Sequence, residues 1–332
     1  MKRLFSIIGL AALVASCNPK YDKTPSGLAY KIIKGNGKEK IQPGQILKIN
    51  AAVKIASNDS VLFSTYGRLP EYLPFDTAAK NTHDFTEVLK YCSVGDSLIT
   101  IAQVDTLVKR GGVQYNDFLK RRDQIVTSIR ILQVMASDEA KTKDQQAELE
   151  KEKSREIADV QAYITKNKIK AQKLPSGVFV EVTNPGNANK ALTGKQVSVM
   201  YKGSLMTTGK VFDSNLDTAF HHTEPLSLVM GSGQVIPAWE EALPYFGEGG
   251  SGRILVPALM AYGPGGKGPI PPYSNLVFDV TVKSVTDAPK QQPQQQMDPR
   301  MLQQLQEQMQ QQQQQQGQQP PQGQGQPQQP PR

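Results

Sequence analysis

Few residues in this chain are arranged for covalent or metal chemistry. His83, His221 and His222 are the only histidines among 332 residues. No acidic or cysteine partner stands at ligand spacing from them, so all three read as exposed and no metal site is expected. Cys17 and Cys92 are the only cysteines, too few for a disulfide framework or a cysteine-held zinc. Residues 263–268, GPGGKG, formally satisfy G-x-G-x-x-G. Yet Pro269, Pro271 and Pro272 follow, so the helix whose N-terminus would hold a pyrophosphate cannot form. Aromatic residues stand in patterned segments: Tyr201, Phe212, Trp239, Tyr262 and Phe278, with Asp213 directly after Phe212.

The elements that must position these rings centre on residues 234–243, QVIPAWEEAL, which carry the only tryptophan. Val235 and Ile236 are β-branched and suit an extended lead-in. Pro237 fits a first helical turn, where its missing N–H would be unpaired anyway. The helix should therefore begin at Pro237 or Ala238. Trp239, Ala242 and Leu243 share one face and point inward, while Glu240 and Glu241 face water near the positive end of the dipole. Upstream, VSVMYKGSLMTTGKVFDSN alternates apolar and polar residues around TTG, which predicts a β-hairpin carrying Tyr201, Phe212 and Asp213. Downstream come a strand, a corner at Tyr262, a Gly/Pro loop and a strand with Leu276, Phe278, Val280 and Val282 on one face.

The pieces MYKG, GKVFDSN, VIPAWEEAL, VPALMAYG, GPIPP and NLVFDV occur in order over about 110 residues. In them the chain resembles the FKBP-type peptidyl-prolyl cis-trans isomerases. The resemblance implies an α+β fold, a twisted antiparallel sheet wrapped around one short helix. It makes Trp239 the floor under a proline ring, with Tyr201, Phe212, Val235, Ile236 and Phe278 as walls. The Ile236 N–H and the Tyr262 hydroxyl would hold substrate or macrolide carbonyls. Asp213 would orient polar groups beside the twisted amide, and Ile270 would cover the cup. Two positions depart from the family pattern: Leu226 stands where an aromatic wall is usual, and Ala238 where glycine commonly precedes the tryptophan. Leu226 forgoes ring packing worth about 0.5–1.5 kcal/mol, which predicts weaker macrolide affinity or altered substrate preference with activity retained.

A second segment opens alike. TPSGLAYKIIKGNGKEKIQPGQILKINAAV and LPSGVFVEVTNPGNANKALTGKQVSVMYKG are related by a constant offset of 150 positions, so a duplicated domain is expected. Aligned by eye, Ala51 stands opposite Tyr201, Ser64 opposite Asp213, Phe85 opposite Trp239, Val108 opposite Tyr262 and Thr127 opposite Phe278. Phe63 alone then keeps its counterpart, Phe212. The first copy reads as scaffold without the aromatic pocket, with LPEYLPFDTAAKNT an insertion lacking a partner.

The N-terminus MKRLFSIIGLAALVASC has a cationic start, an apolar run and small residues before Cys17. It resembles a bacterial lipoprotein leader, with Cys17 the lipidated first residue and residues 18–23 a tether. Residues 24–137 are then a degenerate FKBP-like domain, 138–170 a charged helical linker and 171–287 the isomerase domain. Residues 288–332, rich in Gln and Pro, should stay disordered. In the linker, Glu139 with Lys143, Glu148 with Lys151 and Glu152 with Arg155 can pair along a solvated helix. Ile157, Val160 and Ile164 form a thin stripe that docks on one domain. Net charge is +8 but the cations are interspersed with acids, which offers no footprint for nucleic acid. The implied activity is prolyl isomerisation on X-Pro segments of unfolded or exported proteins, lipid-anchored in a bacterial envelope and facing the periplasm. A non-catalytic chaperone or binding lipoprotein that holds Pro-containing segments is the alternative.

Overall fold

The computed structural model describes residues 20–76 and 82–289. The leader with Cys17 and the tail from residue 290, including Met301, Leu305 and Met309, lie outside the described residues. The chain forms two compact units, each built on a seven-stranded antiparallel sheet. The fold is α+β: two antiparallel sheets with few helices, one of them long and charged.

The first sheet runs β1 (Asp22–Lys23), β2 (Ala29–Ile33), β6 (Ser97–Gln103), β7 (Gln124–Met135), β3 (Ile46–Ile55) and β4 (Val61–Ser64). β5 (Glu71–Pro74) also pairs with β3. Inward residues of β3, β6 and β7, among them Leu47, Ile49, Leu98, Ile129 and Ile131, close on α1 (Thr86–Leu89), whose Val88 and Leu89 are fully buried. Such side chains stabilise by about 1.5–3 kcal/mol each. Cys92 lies in this core, where burial pushes its thiol up to about 11. His83 is only 5% exposed, with Nδ1 3.1 Å from Ser26 Oγ, so the expectation that it faces water is wrong. Its ring fills the space beside the PSG turn that opens the repeat.

α2 (Val104–Lys109) leads into the charged loop that replaces the Gly/Pro loop of the second copy. α3 (Asp138–Lys166) follows β7, with no Gly or Pro to interrupt it, and the Ser137 hydroxyl caps it by accepting from Ala140 N–H at 3.2 Å. Glu148 pairs with Lys151 at 2.7 Å and Glu152 with Arg155, whereas Lys141 finds Asp138 on its own turn. The helix is less solvated than its charge implies. Lys48 of β3 bridges Asp144 at 2.6 Å and Glu148 at 3.0 Å, and Tyr72 of β5 donates to Asp144 at 2.5 Å. Arg68 reaches Glu152 at 3.3 Å. Val160 and Ile164 are buried, while Ile157 is half-buried.

Glu156 is one of the buried acids of this unit, with Asp96 and Glu152. It is 1% exposed, and its Oε2 accepts from the Leu259 N–H at 2.8 Å. Leu259 belongs to Val256–Asn275, which groups with the first unit although it lies late in the chain. Burial pushes the carboxyl up to about 7, and neighbouring Glu152 pushes the same way. On the same segment the Tyr273 ring lies under the Arg68 guanidinium, 4.8 Å from centroid to carbon.

In the second unit the sheet order is β11 (Val211–Ser214), β10 (Lys195–Leu205), β14 (Leu276–Asp287), β13 (Ser251–Val256), β9 (Phe179–Asn184) and β8 (Gln172–Lys173). β12 (Leu226–Val229) also pairs with β10. This is the first sheet's order with the strands renumbered. The duplicated sequence has produced a duplicated sheet, and the register corrects the alignment made by eye. Lys202 pairs with Ser214 and Ala52 with Ser64, so the offset of 150 continues into the hairpin. Ser64 therefore corresponds to Ser214, Phe63 to Asp213 and Leu62 to Phe212. Thr127 keeps its place opposite Phe278, each pairing with equivalent positions, Val53 and Gly203. β5 pairs with Ile46 to Ile49 as β12 pairs with Gln196 to Val199, so the supposed insertion contains the counterpart of β12. Short polar hairpins carry little periodicity to hold a register, so the expected pairing of Ser64 with Asp213 is one residue out.

Candidate active site

The hairpin of β10 and β11 and the last strand, β14, present three of the rings, and α4 (Pro237–Ala242) supplies the fourth. α4 begins at Pro237 and buries Ala238, Trp239 and Ala242; Ile236 before it has φ −58° and ψ 147°, while Val235 lies in a bend where an extended lead-in is expected. Glu240 and Glu241 do not simply face water. Glu240 accepts from the Gly231 N–H at 2.7 Å, and Glu241 accepts from Ser176 N–H at 3.2 Å and from its hydroxyl. Both carboxylates tie the helix to turns that precede it in the chain.

Trp239 is the hub of the rings. Its ring lies edge-to-face with Tyr201, centroids 5.4 Å apart at 82°, and with Phe278 at 5.3 Å and 86°. Phe212 meets Phe278 at 5.7 Å and 85°. These are the separations and angles that the ring quadrupole favours. Trp239, Phe278 and Tyr201 are 3%, 4% and 8% exposed. Phe212, Val235 and Ile236 are half-buried, and Leu226 at the start of β12 is 37% exposed. Two hollows of about 280 and 220 Å³ lie elsewhere, around Gly35 and around Arg253, and none of these rings lines them.

Polar groups fix the cluster at one side. The Tyr201 hydroxyl donates to Asp213 Oδ2 at 2.6 Å, and His222 Nε2 lies 2.7 Å from Asp213 Oδ1. The statement that no acidic group partners the histidines therefore fails for His222. A turn through His221, left-handed at φ 59°, returns the chain to the carboxylate nine positions earlier. Behind the ring, buried Asn215 accepts from the Tyr201 N–H at 2.6 Å and donates to Val199 and Glu224 carbonyls. Thr65 does the same for Ala51 in the first unit at 2.9 Å, so the clamp survives there without the ring it holds.

Sequence reasoning missed Gly203. A Cβ there would lie 2.6 Å from Phe212 Cζ and 2.9 Å from Phe278 Cε1, closer than real contacts allow. The signal was a glycine inside a strand, which often marks a close approach. Tyr262 and Ile270 lie on Val256–Asn275, the connection from β13 to β14, which groups with the first unit. Ile270 is 6% exposed and its N–H and C=O close a tight turn with Lys267, whose ammonium lies 5.5 Å from the Tyr262 ring. The second unit contains eight of the ten expected site residues, and the contacts above join five of them, Tyr201, Phe212, Asp213, Trp239 and Phe278.

The family model described as FKBP-type peptidyl-prolyl cis-trans isomerase matches residues 187–283. An FK506-binding protein of Neisseria meningitidis serogroup B is 37% identical over 110 residues, covering 33% of this chain and 96% of that protein. The chain belongs to the FKBP-type peptidyl-prolyl cis-trans isomerase family. The FKBP-type isomerase FkpA of Escherichia coli K12 is 36% identical over 184 residues, 54% of this chain and 64% of its own length. A crystal structure of Escherichia coli FkpA matches at 35% identity over 46% of this chain and 69% of that one, with a TM-score of 0.36. The family match runs through residues 256–275, so Tyr262 and Ile270 lie inside the FKBP sequence of this chain even though their segment groups with the first unit. The chain is an isomerase of the FKBP type, one whose second repeat carries the family's sequence.

Proposed function

We propose that this FKBP-type isomerase works in the cell envelope on X-Pro segments of exported proteins, and that turnover belongs to the second repeat. The reading rests on the ring cluster: Trp239 flanked edge-to-face by Tyr201 and Phe278, with Asp213 on the Tyr201 hydroxyl. The amide C–N bond resists rotation with a barrier of about 18–20 kcal/mol, so X-Pro exchange unaided takes tens of seconds or longer. Water favours the charge-separated resonance form that supplies this barrier. Rings as covered as Trp239, 3% exposed, disfavour that planar form and match the twisted one, so torsion is eased without a proton, metal or covalent intermediate.

In this reading Trp239 underlies the proline ring, and Tyr201, Phe212, Leu226, Val235, Ile236 and Phe278 wall it. The Tyr262 hydroxyl and Ile236 N–H hold carbonyls, Asp213 orients polar groups at the twisted amide, and Ile270 covers the cup. Macrolide inhibitors would compete for the same walls. The leader reading of Cys17 places the chain at a membrane by acyl chains. Among the described residues no helix is long and apolar enough to cross one.

The experiment compares full chains in isomerisation of a short X-Pro peptide. Trp239→Ala should lose most of the catalysed rate, about tenfold or more, as expected when a buried ring worth several kcal/mol is removed from a site. Phe85→Ala, the equivalent change in the first repeat, should leave the rate unchanged. Equal losses in the two variants would show that the second repeat is not the seat of turnover.

A further inference from the structure

The loop 110–123 of the first unit carries Lys109, Arg110, Lys120, Arg121 and Arg122 at or near its ends, against Asp117 and Asp123. At its tip Phe118 is 71% exposed, more than any other large apolar side chain among the described residues, and Tyr115 is 40% exposed. The tip is nevertheless built. Asn116 Oδ1 accepts from both the Phe118 and Leu119 N–H at 2.8 Å, and Tyr115 donates to Asp105 at 2.8 Å. Asp105 also accepts from the Arg122 N–H at 3.3 Å, which closes the loop base. These bonds shape the loop that carries the exposed phenyl ring of Phe118, with basic residues on both sides of it in sequence.

The setting says what receives it. Phe118 and Tyr115 are exposed and line neither of the two hollows, which suits entry into a deformable apolar layer. Its flanking cations suit a negatively charged surface. Arg110 Nη2 lies 3.5 Å from the Ser26 carbonyl, which puts the loop base beside the chain's N-terminal segment. Ser26 is nine positions after Cys17, a distance that even extended chain spans within about 30 Å. We propose that this loop is a membrane-contact site, with Phe118 entering the interface of an anionic phospholipid bilayer while Lys120, Arg121 and Arg122 meet the headgroup phosphates. An aromatic tip with basic neighbours matches the two layers of such an interface, ring at the acyl boundary and cations among the headgroups. The site is independent of acylation: an anchor at Cys17 would raise the local concentration of lipid at a loop that binds it anyway.

The test uses the full chain without its leader and with Cys17→Ser, so that no acyl group contributes. Co-sedimentation is measured with vesicles of phosphatidylcholine alone and with one part phosphatidylglycerol in three. Binding should require the anionic lipid and fall as salt is raised. Each of Lys120→Glu, Arg121→Glu and Arg122→Glu should weaken it about fivefold or more, and Phe118→Ser by about tenfold. Lys166→Glu and Lys210→Glu, exposed reversals elsewhere, should leave it unchanged, and circular dichroism and thermal unfolding like the parent's would show that the loop variants are folded. Absence of binding to anionic vesicles, or equal losses from control and loop reversals, would overturn the proposal. So would loop variants that keep vesicle binding but lose the ability to suppress aggregation of an unfolded protein, which would assign the loop to polypeptide.

Discussion

One hydrogen atom at Gly203 separates the ring cluster from a collision. A methyl group there would press on Phe212 and Phe278 at once, and Phe278 is buried against Trp239. Gly203→Ala should destabilise the chain by about 1–3 kcal/mol, the usual cost of overpacking. It should also depress the isomerase rate, since relief requires Phe278 to turn away from Trp239. Thermal unfolding and peptide turnover check this together, and Gly203→Ala with Phe212→Leu should recover part of both losses. In the first repeat the equivalent position is Val53, opposite Thr127 instead of a phenylalanine. Absence of the rings there has removed the need for glycine. Asp213 shows how much of a site is local: its partners, Tyr201 and His222, lie within twelve positions of it.

At the scale of an element, α3 joins the units by chain but is docked like a core helix. Its carboxylates bind groups on β3, on β5 and on the loop between β4 and β5, and Glu156 holds the Leu259 backbone. The folded Glu156 carboxyl titrates at about 7, above its ordinary 4.5. The folded chain thus keeps a proton that the unfolded chain releases. The stability carried by this group is complete below about pH 4.5 and is lost as pH rises through 7, by on the order of 3 kcal/mol. The charged groups acting on it are Glu152 on its own helix and Arg68 from the β4–β5 loop. Glu156→Gln retains an acceptor for Leu259 and carries no charge. It should melt higher than the parent at pH 8, equal it near pH 5, and flatten the dependence between, as thermal scans of the full chain would read.

For the whole molecule, the division into units does not follow the repeats. Val256–Asn275 is sequence of the second copy but groups with the first unit, where Glu156 holds Leu259 and Arg68 covers Tyr273. Tyr262 and Ile270, proposed to complete the proline site, ride on that segment. A fragment of residues 171–287 lacks α3 and Arg68. Its backbone amides at 256–275 should exchange with deuterium faster than in the full chain, while those of β10 and β14 keep their protection. Equal exchange throughout would show that α3 does not order the segment.

The sequence by itself determined the α+β class, the duplication, the helix starting at Pro237, the long helix and the family, because each rests on local pattern: alternation, a proline at a first turn, a run without breakers, motifs in order. It also named the rings, through the motifs of the family resemblance in which they stand. Tertiary structure alone decided the rest. Gly203 is required only because two rings from distant strands meet over it. His222 acquires Asp213 only through the left-handed turn at His221. Glu156 reads as one more surface charge of a charged helix until a segment a hundred residues later covers it, and the fate of such a carboxyl is set by what excludes water from it.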